Sequence, residues 1–532
     1  MSDLLTLRPA REPAAHAAVP SGRLARVDWR IVGPVGLLLT AIGVVSAWKM
    51  GSAPLVAKDE GVYMSQAWAV THMGSLANYT YWYDHPPLGW VFLSAWVEST
   101  FGLVRYHDSV MAGREFMVVL HVVSSGLVYV LGRRLGFRRS AAALACAAYG
   151  FSPLSVYFGR LVLLDNIAVP FVLGAFVLAT TPRRRTSAFV GAAVLMGLGV
   201  LCKETVLLLA PFLVWTIARQ VESRRRVLVL ALALGTLVMT VAFYPLYATL
   251  KNELLPGTGH VSLTWAVQWQ LFSRASSGNV LEAGSDARAL VDQWTGLDSI
   301  LLVAGVVGAL VTVLPRCGQA ASRPIAAALA LQVLMVLRPG YLPFPYVIAV
   351  LPFAALLVGA AADTAIRLGA RRLGPEAGAV RRRALDTYRV VAAGTAAVAQ
   401  AAVAVVWWQG VGAMQAVDQN RPLADTRAWI DANTTPSSVG VVEASLWLDL
   451  VDDGRLSPKP IWMYKLDQDP AVKAELGGWQ SVDYLALQND TLEVETRSSM
   501  PTMFDALDHA TVAARFGSGD SGYTVFVVDP NS

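Results

Sequence analysis

Eleven apolar runs, separated by short arginine clusters, constrain this chain more than any other feature of its sequence. They fall at 31–48, 113–131, 140–158, 164–180, 187–201, 205–218, 227–247, 299–314, 324–337, 343–362 and 390–411. A helix needs about 20 mostly apolar residues, and no fewer than about 17, to cross the hydrocarbon of a bilayer. Several runs sit at the short edge of that range, yet together they take up more than a third of the chain. Only 15% of the 532 residues are charged, against about 25% in soluble domains. The expected fold class is therefore an all-α polytopic membrane bundle of about eleven transmembrane helices.

The arginines orient the bundle. Arg133, Arg134, Arg138 and Arg139 share one loop; Arg183, Arg184 and Arg185 share another; Arg219, Arg224, Arg225 and Arg226 a third. Arg316 and Arg323 follow, then Arg367, Arg371, Arg372, Arg381, Arg382, Arg383 and Arg389, while Arg23, Arg26 and Arg30 precede the first run. If the chain crosses at every run, all of them fall on one side. Cytoplasmic loops carry the excess of Lys and Arg, so that side, N-terminus included, is expected to be the cytoplasm. The same scatter excludes a nucleic-acid partner despite the net charge of +5, because no single face gathers the basic residues. Residues 87–104 are nearly long enough to span, but a crossing there would flip every later cluster. They are expected to form a juxtamembrane or re-entrant helix with Ser94 and Glu98 on its wetter face.

Residues 1–30, rich in Pro, Ala and Arg, are expected to be a disordered cytoplasmic tail, followed by an uncleaved first span. Residues 31–413 form the expected transmembrane domain. From 414 to 532, Asp, Asn, Ser and Thr replace Ala, Val and Leu, which marks a small extracytoplasmic domain. Its periodicities predict helices at 423–433 and 502–514 and strands at 438–443, 481–488 and 523–528, an α/β unit. Cys146, Cys202 and Cys317 lie in or beside apolar runs without CxxC spacing and read as small buried hydrophobes.

The residues that could carry chemistry concentrate in the first outer loop, 49–86. After Asp59-Glu60, the residues Tyr63, Met64, Ala67, Trp68 and Val70 recur at helical spacing and predict a short amphipathic helix lying along the membrane surface. Two acids in its first turn suit the helix dipole and need do nothing more. A sugar transfer at a membrane boundary would also use such a pair. One carboxylate would take the proton of an attacking hydroxyl, and the other would orient the site or hold a cation.

Asp59-Glu60, Tyr63, Ala67 and Gly74, followed by Asp84-His85-Pro86-Pro87-Leu88-Gly89, closely resemble the first outer loop of GT-C glycosyltransferases. The resemblance is to the protein O-mannosyltransferase superfamily, with its bacterial aminoarabinose-transferase and lipopolysaccharide glycosyltransferase branches. It continues in Arg160 and Asp165 between the third and fourth runs, and in Lys203-Glu204 after the fifth. Arg338-Pro339-Gly340-Tyr341 and Tyr346, ahead of Leu351-Pro352, extend it. Roughly residues 30–360 are covered.

The resemblance implies a lipid-linked sugar donor, with Asp59 and Glu60 as the catalytic acids. It implies Arg160, Lys203, Arg338 and His85 as ligands of the donor phosphate, and Asp165, Tyr341 and Tyr346 beside them. A charge in the bilayer core costs about 2.5–3.5 kcal/mol on insertion scales, so such cations need partners, and a phosphate suits both Arg forks and a Lys point charge. Snorkelling to lipid phosphates, or the pairs Arg160–Asp165 and Lys203–Glu204, would satisfy them as well. In one branch of the superfamily an acid ahead of the two prolines helps bind a divalent ion. By that likeness Asp84, His85 and His260, from the second outer loop, are the candidate ligands of a divalent metal ion; a helix cap is the alternative for Asp84. Tyr79, Tyr81, Trp82 and Tyr83, with Trp265, Trp269 and Trp294, read as an interfacial belt or as a platform for sugar rings.

The expected function is a membrane glycosyltransferase. It would move a sugar from a polyprenyl-phosphate donor to an extracytoplasmic acceptor (protein, cell-wall glycan or glycolipid) with inversion. A lipid-linked-sugar flippase or transporter without transfer chemistry is the alternative, although the internal repeats usual in transporters are not apparent. Neither the sugar nor the acceptor is legible.

Overall fold

Helices form where the apolar runs do, and polar caps fix several of their ends. The computed structural model describes residues 29–74, 76, 83–106, 108–182, 185–257, 261–314, 319–371, 379–452 and 460–530. The tail up to residue 28, Tyr79, Tyr81, Trp82, His260 and Cys317 lie outside the described residues. Six helices are long and apolar enough to cross a membrane: Ser109–Arg134, Ser223–Leu250, Asp286–Val313, Ala320–Leu337, Phe344–Leu368 and Ala397–Met414. Arg139–Phe151 and Pro153–Arg160, bent by 57°, make a seventh if taken together, and Gly33–Ala47, Leu164–Ala179 and Thr186–Cys202 are shorter apolar helices. The run at 205–218 is a 3₁₀ turn, Glu204–Leu209, leading into the helix Ala210–Gln220. The chain is a multi-pass helical membrane protein.

Two breaks in the bundle share one device. Asp298 departs from helical φ/ψ inside Asp286–Val313, and its Oδ1 accepts from the Ile300 and Leu301 amides at 2.9 and 3.2 Å, capping the second half of that helix. Its Oδ2 accepts from the Ser152 hydroxyl at 2.5 Å, and Ser152 sits at the bend before Pro153. Beyond the kink, Gly305 and Gly308 let this helix close on Val347–Arg371: a Cβ on Gly305 would lie 2.5 Å from the Ala354 Cβ. Small residues at such contacts are what bring helices together in lipid, where burial of apolar surface drives nothing.

The segment expected at 87–104 is the helix Leu88–Ser99 followed by the turn Gly102–Arg105. Twelve residues rise only about 18 Å, too little to span. Glu98 is exposed, where it accepts from Thr71 at 3.1 Å. Ser94, expected on the wet face, is buried with Leu93 and Val97 against the bundle.

The last membrane helix ends at Met414, and the chain then laces itself to the first outer loop. Gln419 and Asn420 accept from the Leu55 and Val56 amides at 2.9 and 2.8 Å, and Asn420 donates to the Gly51 and Pro54 carbonyls. The helix Arg421–Asn433 opens the C-terminal domain. The strands are β1 (Gly440–Val442), β2 (Ile461–Trp462), β3 (Tyr484–Gln488), β4 (Ala510–Phe516) and β5 (Tyr523–Val528), in the order β2-β1-β3-β5-β4. β1 runs parallel to β2 and β3, whereas β5 is antiparallel to β3 and β4. The helix predicted over 502–514 stops at Asp508, and its second half is β4. Ala510, Ala513, Ala514 and Arg515 favour a helix locally, but pairing with β5 outweighs that preference.

Candidate active site

The helix Lys58–His72 of the first outer loop carries the site, because each of its three faces meets a different part of the protein. Successive residues turn by about 100°. Glu60 and Met64 face the bundle. Both Glu60 oxygens accept from Arg114, at 3.0 Å from Nε and 2.8 Å from Nη2, and they also accept from the Val162 and Ala57 amides at 2.9 Å each. Arg114 in turn donates to the Met50 and Pro54 carbonyls. Gly61 and Trp68 face the C-terminal domain. A Cβ on Gly61 would lie 2.5 Å from the Ser445 nitrogen, and Trp68 meets Trp447 edge-on at 5.9 Å. The helix is thus packed between two layers, with eight of its residues buried, rather than lying amphipathically on a membrane surface.

Asp59 and Tyr63, one turn apart, face the third way. Asp59 is exposed and has no hydrogen bond among the described residues. Tyr63 is buried beside the His85 and Trp90 rings, at 6.0 and 5.9 Å. Burial first, and then the fields of Asp59, Asp84, Asp165 and Glu204, hold its phenol well above the ordinary range. Those four carboxylates therefore surround one place.

Lys203 is the cation at their centre. The helix Thr186–Cys202 ends at it, which leaves its side chain at the junction with the turn Glu204–Leu209. Its ammonium is 3.0 Å from His85 Nε2 and 3.7 Å from Asp165 Oδ2, and it also feels Glu204, Asp59 and Asp84. His85 Nδ1 lies 3.1 Å from Glu204 Oε2. Gly89 seats this turn, because a side chain there would run into Leu164 at 2.7 Å. Asp84 keeps one buried oxygen, Oδ1, without a hydrogen-bond partner among the described residues. Burial holds its carboxyl above the usual range against the pull of His85 and Lys203. It caps no helix, since Leu88–Ser99 begins after Pro87 without a side-chain cap.

Tyr341 stands within electrostatic range of Asp59 and Lys203. It carries a residue that sequence reasoning missed. The Arg274 guanidinium lies 3.7 Å over the Tyr341 ring, with Nη2 2.5 Å from the Tyr341 hydroxyl, and Gln270 accepts from its Nη1 at 2.7 Å. Arg274 stands in the second outer loop, where the positive-inside rule leaves few cations; that was the signal available. Main-chain bonds of Ser277 and Gly278 to Gly340 dock this loop onto the turn before Tyr341. Tyr83, the described member of the aromatic run, is also an anchor: it donates to Glu253, and its carbonyl accepts from Tyr244.

Two expected site residues have other work. Glu60 is completely buried and its acceptors are used within the protein, so it holds the helix rather than serving as a second catalytic acid. Arg160 is also completely buried. It donates to the carbonyls of Ala53, Val45 and Trp48, and is closed to a phosphate. Arg338 is exposed, bonded weakly to the Pro339 and Tyr341 carbonyls. Tyr346 donates to Gln332 O at 3.3 Å, on the neighbouring helix. Among the described residues no three His, Cys, Asp or Glu are placed to hold a metal ion, and His260, the third expected ligand, lies outside them.

This architecture has solved counterparts. ArnT from Cupriavidus metallidurans bound to undecaprenyl phosphate superposes with a TM-score of 0.59 at 17% identity, over 93% of this chain and 98% of that one. Its apo form gives 0.58 at 17%, over 94% and 98%. The chain has the GT-C fold. The GT-C architecture also relates it to the Archaeoglobus fulgidus oligosaccharyltransferase in complex with Zn and sulfate, with a TM-score of 0.53 at 14% identity over 92% of this chain and 73% of that one. Residues 84–247 match the family described as dolichyl-phosphate-mannose-protein mannosyltransferase. No curated protein matches the chain.

Proposed function

We propose that this GT-C chain transfers a sugar from a polyprenyl-phosphate carrier to an acceptor hydroxyl on the extracytoplasmic face. The observation that carries the reading is an exposed Asp59, without a hydrogen bond among the described residues, within electrostatic range of Lys203 and Tyr341, beside which His85 and Arg274 stand. Asp59 takes the acceptor proton as the acceptor oxygen bonds to the anomeric carbon, and the bond from that carbon to the phosphate oxygen breaks. A single displacement of this kind inverts the centre. The prenyl phosphate leaves with its added charge spread over His85, Lys203 and Arg274, with Arg338 at the exposed margin. Because phosphate is already a good leaving group, positioning and charge stabilisation supply most of the catalysis.

The loop helix, the second outer loop and the C-terminal domain lie on one side, and the arginine-rich loops assign the other to the cytoplasm. The reading is supported by the GT-C fold, by the mannosyltransferase match, and by an ArnT structure that holds undecaprenyl phosphate. The acceptor approaches Asp59 from the water beneath the C-terminal domain. A transfer assay in nanodiscs with radiolabelled prenyl-phosphate sugars tests it. Product from the wild-type chain and none from Asp59→Asn, with donor still bound, is expected. Donor movement across a vesicle membrane without product would instead favour the transporter.

A further inference from the structure

The sheet of the C-terminal domain changes direction at β1. The chain leaves β1 for β2 on one side, then crosses back to β3 on the other, with all three strands parallel. Connections that part in this way open a crevice at the carboxyl ends of the strands, which is where open α/β sheets bind ligands. Glu443 follows β1, and Asp490 and Thr491 follow β3, so these residues rim the crevice.

Lys58 of the loop helix fills it. The ammonium pairs with Asp490 Oδ2 at 3.0 Å and donates to Thr491 Oγ1 at 3.0 Å. Thr491, completely buried, donates its own hydroxyl hydrogen bond to Glu443 Oε1 at 2.5 Å, and Glu443 also accepts from the Gln488 amide. The position that would receive a small molecule in a free-standing domain is taken here by a side chain of the membrane domain. That side chain precedes Asp59.

We infer that the C-terminal domain is a positioning element for catalysis, gripping Lys58 so that the first helical turn presents Asp59 to the pocket. The inference rests on the reading of Asp59 as the base. Glu60 and Arg114 hold the turn from within the bundle, and the Lys58–Asp490–Thr491–Glu443 chain holds it from outside. An ion pair as exposed as Lys58–Asp490 adds little to folding. Its consequence is geometric, and a displacement of about 1 Å at a reacting group can cost about a hundredfold in rate.

Single-turnover and steady-state transfer by the full chain in nanodiscs tests this with Lys58→Met, Asp490→Asn, their double variant, Lys58→Arg and Asp59→Asn. The two single variants are expected to lose roughly 10- to 100-fold in kcat, with donor KM and thermal midpoint unchanged. The double should fall no further than either single, and Lys58→Arg should recover most of the rate. Wild-type kcat in both singles, losses that multiply in the double, or a change confined to KM would overturn the inference. A dead Asp59→Asn beside fully active Lys58 and Asp490 variants overturns the positioning role alone; an active Asp59→Asn removes the base and this inference together.

Discussion

Glu60 accepts a two-pronged hydrogen bond from Arg114, at 3.0 and 2.8 Å, across a completely buried contact between the loop helix and the helix Ser109–Arg134. Asp59, one residue earlier, lies about 100° around the helix and is exposed. Two adjacent acids thus have opposite settings, one buried and anchoring the helix, the other exposed.

Removing one partner of a buried ion pair costs about 3–5 kcal/mol, because the other charge is stranded. Glu60→Ala and Arg114→Ala are expected to lower the apparent unfolding midpoint by several degrees and to reduce yield. Asp59→Asn should unfold with the wild type. Thermal scans in one detergent check this, and an Asp59 variant as unstable as the Glu60 variant would contradict it.

Gly61 marks the closest approach of the loop helix to the C-terminal domain. A β-carbon there meets the Ala444–Ser445 main chain, which cannot swing aside as a side chain could. Gly61→Ala is expected to cost about 1–3 kcal/mol of docking, seen as faster hydrogen exchange over 444–452 and quicker proteolysis near residue 420. Unchanged exchange would show that the contact yields freely.

The same interface carries a pH dependence. Asp449 accepts from the Ser109 amide at 2.9 Å and pairs with Arg427 at 3.2 Å. Burial first, and then the neighbouring Asp108, push its carboxyl up to about 7, against the pull of Arg427. A raised folded-state pKa favours the protonated form on docking. The contribution is therefore full below the ordinary carboxylate range and is lost as pH rises through about 7. Exchange protection of 444–452 should fall between pH 5 and pH 8, roughly the interval spanning that shift, and Asp449→Asn should flatten the trend. Protection that increases with pH would contradict the assignment.

Arg274 is expected to bind the donor rather than stabilise the fold. Charge-assisted hydrogen bonds of this kind contribute about 1.5–3 kcal/mol, so Arg274→Ala should weaken prenyl-phosphate binding by at least tenfold. Arg274→Lys should restore it only in part, because the planar fork on Tyr341 is lost. Calorimetric titration with a short-chain prenyl phosphate decides, and equal affinities would remove Arg274 from the phosphate site.

The membrane bundle was legible because bilayer thickness sets a length that hydropathy reveals directly. The loop helix was legible too, with Asp59 and Glu60 in its first turn. What covers it was not, since Gly61 and Trp68 pair with residues nearly four hundred positions later. Arg160 looked like Lys203, a cation at an outer helix end. Only folding shows that one is satisfied by the carbonyls of residues 45–53 while the other meets His85. Arg274 offered one signal, a cation in an outer loop, and nothing that tied it to the site. Its importance comes from a loop docked on Tyr341, which no local pattern encodes.

A structure of the protein in a lipid nanodisc with a polyprenyl phosphate bound is the most direct measurement. The phosphate is expected within about 3 Å, hydrogen-bonding distance, of at least two of His85, Lys203 and Arg274, with Asp59 across the same pocket. A phosphate held by the arginine loops on the opposite face, or by Arg338 alone with Asp59 out of reach, would contradict it.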